Sequence, residues 1–266
     1  MRYLFSASGQ AALHAFVSHS TLFAFDLDGT LAPIVEKPAG IMIKDQVREC
    51  LIQLNSVAPV VIITGRSRAD ALHHLGFNPS YLVGNHGAEG LPGEEASVKI
   101  FAQICREWKK QLHLLLPDMY ANGISLEDKG QTIAIHYRQA SAKTKTRKII
   151  LAAIDHLTPV PRTVSGIFVE NIAPRCAPHK GAALEALMRH LACQRAIFVG
   201  DDITDEDVFS LGNPDVMGIR VEKDPQSTAG FCLQGQNEIL RLLNNIITLL
   251  NDSVSLQVAD PSCTLS

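Results

Sequence analysis

One pattern recurs along the chain: a short run of apolar residues, a polar turn containing glycine, then a stretch with apolar residues three and four positions apart. Leu22 to Phe25, Val60 to Ile63 and Ala196 to Val199 are apolar at every position, and they end at Asp26, at Thr64-Gly65-Arg66 and at Gly200-Asp201-Asp202. Such runs suit strands covered by helices on both faces, whereas a strand with one wet face alternates. Asp45 to Val57 and His179 to Leu191 carry the helical spacing between them. The alternation predicts an α/β fold with a doubly wound parallel-sheet core.

Between residues 98 and 172 the rhythm changes. A helical stretch over Ile100 to Leu116 leads to a strand at Ile124 to Glu127, a turn at Asp128-Lys129-Gly130 and a second strand over Thr132 to Arg138. In that strand Ile133, Ile135 and Tyr137 alternate with Ala134, His136 and Arg138, the period of a strand with one buried face. A helix over Ala142 to Leu157 follows. Two short strands then join at Ser165-Gly166, around Thr163-Val164 and Ile167 to Glu170. Helix, hairpin, helix, hairpin describes an α+β cap domain with an antiparallel sheet. The expected organisation is a core of residues 1–97 and 173–252, a cap of residues 98–172 inserted in it, and a flexible polar tail over residues 253–266.

Composition narrows the function classes. With 266 residues, 46% of them apolar, and a net charge of −3, the chain supports a sizeable core and is neither disordered nor collagenous. A slight acidic excess opposes sequence-independent nucleic-acid binding, which depends on Lys and Arg, so a small molecule is the expected partner. Lys143, Lys145, Arg147 and Lys148 read as a solvated helix face, since no aromatics interleave with them. The six cysteines are scattered without a Cys-x-x-Cys pair, as free thiols in a reducing compartment would be. Residues 1–20 lack the unbroken apolar run of a signal peptide, and no window approaches the roughly 20 apolar residues of a membrane span. The expectation is a cytoplasmic protein with no membrane partner. Oligomeric state is not legible, and a monomer is the default.

Chemistry concentrates where apolar runs end. Asp26-Leu27-Asp28-Gly29-Thr30 places two carboxylates outside the carboxyl end of a strand, where ligands of open parallel sheets collect. Two acids one residue apart can divide nucleophilic attack and proton transfer, and their mutual repulsion calls for a hard cation such as Mg2+. A calcium loop would need further acidic ligands, which Leu31-Ala32-Pro33-Ile34 does not supply. Thr64-Gly65-Arg66 suits a phosphate, although helix capping explains the same residues. Lys180 opens a helix against its dipole and so needs an anionic neighbour, with a solvated surface Lys the alternative. In Gly200-Asp201-Asp202-Ile203-Thr204-Asp205-Glu206-Asp207, Thr204 is the expected N-cap, with Glu206 and Asp207 favoured by the dipole. That explanation leaves out Asp201 and Asp202. Asp26, Asp28 and Asp201 together are the expected metal site, with Lys180 balancing the remaining charge.

Taken together, Asp26-Leu27-Asp28-Gly29-Thr30, Thr64, Lys180 and Gly200-Asp201-Asp202 resemble the four motifs of the haloacid dehalogenase-like phosphatases. Within them, Asp26 to Ile34, Gly84 to Glu89, Leu126 to Arg138 and Gly200 to Phe209 resemble the signatures of the trehalose-6-phosphate phosphatase family. The resemblance implies a hydrolase of trehalose biosynthesis that cleaves trehalose 6-phosphate through an aspartyl-phosphate. Asp26 would be the nucleophile and Asp28 the acid and base. Thr64 and Lys180 would hold phosphate oxygens, and Asp201 would bind Mg2+ with Asp26 and the Asp28 carbonyl. Asp202 and Asp205 would orient Lys180 or water near the metal. The implied substrate-binding residues are Gly65, Arg66, Asn85, His86, Glu127, Lys129 and Glu170, with packing in a Gly-flanked turn the alternative for His86 and solvated turn charges the alternative for Glu127 and Lys129. Another sugar-phosphate phosphatase of the superfamily, or a catalytically silent sugar-phosphate sensor, is the competing reading. Ala173, where the family usually has Arg, and His179, where Asn or Asp is common, depart from the family pattern.

Overall fold

The computed structural model describes residues 1–35 and 40–258, with side chains to Asp252. Two sheets build it. The larger contains β1 (Arg2–Tyr3), β2 (Thr21–Phe25), β3 (Val60–Ile63) and β4 (Tyr81–Val83), and later in the chain β9 (Arg195–Gly200), β10 (Val216–Val221) and β11 (Phe231–Leu233). The smaller contains β5 (Ser125–Asp128), β6 (Ile133–His136), β7 (Arg162–Gly166) and β8 (Val169–Ala173). The helices are α1 (Ala7–Phe16), α2 (Asp45–Val57), α3 (Arg68–Leu75), α4 (Glu95–Leu115), α5 (Lys143–Asp155), α6 (Lys180–His190), α7 (Glu206–Phe209) and α8 (Ile239–Val258).

The larger sheet is parallel throughout, in the order β1-β11-β10-β9-β2-β3-β4. Strands β2 and β3 are buried at every position because helices cover both faces. On one face Phe23, Phe25, Val60 and Ile62 pack against Leu51 and Leu54 of α2 and Leu242 and Ile246 of α8. On the other, Leu22, Ala24, Val61 and Phe198 pack against Ala183, Leu184 and Leu187 of α6. The chain runs from β2 to β3 on one side, while β9 returns to pair with β2 on the other. The strand order therefore reverses at β2, and the crevice this opens lies beside Asp26.

The smaller sheet is antiparallel, in the order β5-β6-β8-β7. Its helix face is closed by Trp108 and Leu112 of α4 and Ile150 and Ile154 of α5, packed on Ile133, Ile135 and Ile172. Its other face looks onto the crevice of the larger sheet. The second hairpin turns at Ile167-Phe168, two residues later than expected, with Phe168 left-handed at φ 59°. Gly166 suggested the turn, yet it remains in β7, paired with Val169. Helix α8 carries on to Val258, into the stretch expected to be a flexible tail, and residues 259–266 of that stretch lie outside the described residues. Among the described residues no helix is long and apolar enough to cross a membrane.

Candidate active site

Asp26 follows the last residue of β2 and is almost fully buried at 4% exposure. Its Oδ1 lies 3.0 Å from Nζ of Lys180, which lies 2.7 Å from Oδ1 of Asp205. These are the anions that a Lys in the first turn of a helix requires. Burial alone would lower the Lys180 pKa, but Asp205 and Asp26 outweigh it and hold the pKa above the ordinary value. The other Asp205 oxygen accepts the backbone N–H of Asp202 at 2.9 Å. This contact makes Asp202 the N-cap of a short 3-10 turn, Ile203–Asp205, and displaces the expected cap, Thr204. Thr204 instead lines the cleft, its hydroxyl buried and without a hydrogen-bond partner among the described residues.

Carboxylate oxygens of Asp26, Asp201 and Asp205 all lie within 4.8 Å of one another. Burial pushes the Asp201 carboxyl up to about 7, with the Asp205 charge adding to it, and burial also raises Asp26 against the pull of Lys180. One ammonium faces three carboxylates, so the donor set fits a hard divalent cation bound by oxygen. The loop before it is shaped for close approach: a Cβ at Gly29, whose φ is 79°, would stand 2.0 Å from Oδ2 of Asp201. Thr30 donates to Oδ1 of Asp201 at 3.0 Å.

Asp28 departs from the expected metal set. Its carboxylate is gripped by Arg66, with Nε to Oδ2 and Nη2 to Oδ1 both at 2.7 Å, and Nη1 of Arg66 reaches Asp70 on α3 at 2.6 Å. A bidentate guanidinium bond of this kind is strong and directional. The Asp28 side chain therefore serves Arg66, leaving its backbone carbonyl for the implied metal contact, while Asp205 takes its place in the carboxylate cluster. Arg66, expected on phosphate, holds these two acids instead. Thr64 is fully buried beneath the cleft wall and accepts the N–H of Arg66 at 3.3 Å. Asp26, Asp28, Gly65, Arg66, His86, Lys180, Asp201 and Asp202 line one cleft with the cap residues opposite them.

On the cap side, the register pairs Glu127 with Ala134 and Ala134 with Asn171, so these residues share the cleft face with His136 and Val169. Glu127 accepts Nε2 of His136 at 2.8 Å, and that bond holds its carboxyl below the ordinary value. Lys129 donates to the Gly65 carbonyl at 3.1 Å, and burial pulls its pKa below the ordinary value against the opposing charge of Glu127. Glu170 does not reach the cleft. It pairs with Ile135 on the helix face, is fully buried, and accepts from Nε of Arg147 at 2.7 Å and Oγ of Ser165 at 2.5 Å. Arg147 stays exposed with the rest of the basic run of α5, and this contact gives it a buried anionic partner. Asn171, the next residue, occupies the cleft position, and strand alternation was the signal that distinguishes the two.

Asn85 is also no open ligand: it is fully buried and all its hydrogen-bonding atoms are engaged. His86 lines the cleft with Nδ1 unpartnered among the described residues. Burial first, and then the nearby charges of Lys180, Lys129 and Arg162, hold its ring neutral.

The profile of the trehalose-phosphatase family matches residues 24–237. Over 235 residues the chain is 32% identical to the trehalose-6-phosphate phosphatase of Escherichia coli, covering 85% of this chain and 86% of that one. It is 28% identical over 246 residues to trehalose-phosphate phosphatase B of Arabidopsis thaliana, covering 84% of this chain but spanning only 65% of that relative's length. In fold it is similar to the C-terminal domain of Candida albicans trehalose-6-phosphate phosphatase, with a TM-score of 0.74 at 21% identity over 94% of this chain and 99% of that one.

Proposed function

The chain belongs to the trehalose-phosphatase family, and on that premise we propose that it hydrolyses trehalose 6-phosphate to trehalose and phosphate with the help of Mg2+. The observation that carries this reading is the convergence of Asp26, Asp28, Lys180 and Asp201 on one cleft, beneath a cap face bearing Glu127 and Lys129.

An Asp26 carboxylate oxygen attacks phosphorus as the bond to the sugar oxygen breaks, giving an aspartyl-phosphate. Asp28, once its pair with Arg66 loosens and it takes up a proton, donates that proton to the departing sugar oxygen. It then takes one from a water that attacks the phosphorus of the intermediate, which releases phosphate and restores Asp26. Lys180 holds phosphate oxygens, while Thr64, buried beneath the cleft wall, braces the Arg66 turn through its hydroxyl. Asp205 keeps Lys180 charged and aimed, and Asp202 fixes Asp205 in turn. Asp26, Asp201 and the Asp28 carbonyl would hold a divalent cation, which would neutralise phosphoryl charge. Hydrolysis of a phosphate monoester is so slow in water that the site must lower the barrier by on the order of 20 kcal/mol. Enclosure of the charges at Lys180 and Asp201 supports the electrostatic share of that. On the cap, Glu127, Lys129, Asn171 and His136 face the sugar. The unpaired thiols of Cys50, Cys105, Cys176, Cys193 and Cys232 are compatible with a cytoplasmic setting.

The test is phosphate release from trehalose 6-phosphate beside a panel of other sugar phosphates, with and without Mg2+. Mg2+-dependent release with preference for trehalose 6-phosphate is expected. Preference for another ester would reassign the substrate, and no release from any would favour a silent sensor.

A further inference from the structure

Two successive non-glycine residues, Asn85 and His86, adopt left-handed backbone at φ 52° and 56°. Such conformations cost free energy and persist only where their surroundings impose them. Here the surroundings are two other turns. Toward the core, the N–H of Asn85 bonds to the Arg66 carbonyl at 2.7 Å and that of His86 to the Thr64 carbonyl at 2.9 Å. Asn85 is thereby stacked on the turn that leads to the expected phosphate ligands.

Toward the cap, the Asn85 side chain meets the β5–β6 turn. Its Nδ2 lies 3.1 Å from the Lys129 carbonyl, 3.1 Å from Oε1 of Gln131 and 3.0 Å from Oε2 of Glu89. Its Oδ1 accepts the hydroxyl of Thr132 at 3.0 Å. Three acceptors around the nitrogen and one donor at the oxygen determine which way the amide points. Asn85 and Thr132 are both buried, at 0% and 2% exposure, so water does not replace these bonds readily. From the far side, Lys129 returns a bond to Gly65 at 3.1 Å.

We propose that Asn85 is a positioning residue. It pins the cap turn of residues 128–132 to the phosphate-side turn of residues 64–66, and so sets Lys129 at the cleft and fixes how the cap sits over the substrate. The role rests on the proposed phosphatase reading for its consequence in turnover, but not for the pinning itself. It also accounts for the residue type: Asn tolerates left-handed backbone and carries both a donor and an acceptor on one short side chain. Asp tolerates the same backbone but would turn a carboxylate toward three acceptors.

The experiment uses the full chain and the variants Asn85→Asp, Thr132→Val and Thr132→Ser. Amide hydrogen exchange is read over residues 128–132, with β2 as an internal reference. Steady-state kinetics are read on trehalose 6-phosphate and on a small aryl phosphate that cannot reach the cap. Asn85→Asp is expected to speed exchange at residues 129–132 by tenfold or more while β2 stays protected, and Thr132→Val by a smaller factor that Thr132→Ser restores. In an active enzyme kcat/KM for the disaccharide ester falls at least tenfold in Asn85→Asp, and that for the aryl phosphate falls less than threefold. Unchanged exchange over residues 128–132 in Thr132→Val and Asn85→Asp overturns the proposal, as does an equal loss on both substrates. Should Asn85→Asp not fold, Thr132→Val against Thr132→Ser decides alone. Absence of turnover on any sugar phosphate would refute the phosphatase reading, while the exchange result would still decide the pinning.

Discussion

Lys180 keeps its charge at 1% exposure because Asp26 and Asp205 stand within 3.0 Å of it, and the consequences run in both directions. Replacing Lys180 by Met leaves two buried carboxylates without their cation. The expected loss of folding stability is about 3–5 kcal/mol, read from urea unfolding without Mg2+. The acids themselves carry a pH dependence. Asp201 is raised from an ordinary 3.8 to about 7, so the folded metal-free protein binds more protons than the unfolded chain between those values. Stability from this group is complete below pH 3.8 and is lost as pH rises through about 7. Added Mg2+ should oppose that decline and release protons on binding, which calorimetry in two buffers of different ionisation enthalpy would show. A decline that Mg2+ fails to relieve would mean the carboxylates do not bind it. For Asp28, conversion to Asn should slow turnover by about 100- to 10,000-fold, the usual contribution of a positioned acid and base.

Elements explain which residues face the chemistry. The helix over Asp45 to Val57 and the strand over Val60 to Ile63 were legible to the residue because their patterns are unbroken and their ends carry plain signals. In the cap, alternation along Thr132 to Arg138 revealed two faces without saying which one meets the core. That depends on where α4 and α5 pack, a contact between residues distant in sequence. Hence Glu170 falls on the helix face and Asn171 on the cleft face. Glu170 ties β8 to α5 through Arg147, and losing Arg147 would leave a buried carboxylate with weaker partners. Because Arg147 is half exposed, Arg147→Ala should destabilise the fold by less than the breaking of a fully buried pair. Trp108, the single tryptophan, sits in the cap core, so its fluorescence reports that loss directly. A Trp108 unfolding midpoint identical to that of the parent would show the pair to be idle.

At the scale of the molecule, the parallel sheet delivers Asp26, Gly65 and Asp201 from the ends of β2, β3 and β9 to one crevice, and the antiparallel sheet roofs it. The acidic motifs were readable because each follows an apolar run, and buried parallel strands expose chemistry only at their ends. What the sequence could not show was the division of labour among neighbours: Arg66 taken by Asp28 and Asp70, Asp205 joining Asp26 and Asp201, and Asn85 spent on the cap. Arg66 with Asp70 and Asp201 with Asp205 are four positions apart, but the other pairings span 38 to 179 positions of chain, separations that a local pattern does not encode. All of them serve one claim, that Asp26 takes the phosphoryl group. The most direct measurement is rapid-quench peptide mass spectrometry after mixing the Mg2+-loaded enzyme with trehalose 6-phosphate. A transient phosphoryl mass on the peptide bearing Asp26, prolonged in Asp28→Asn and absent in Asp26→Asn, is the predicted result. Phosphate release at an undiminished rate from Asp26→Asn, with no phosphorylated peptide, would contradict it.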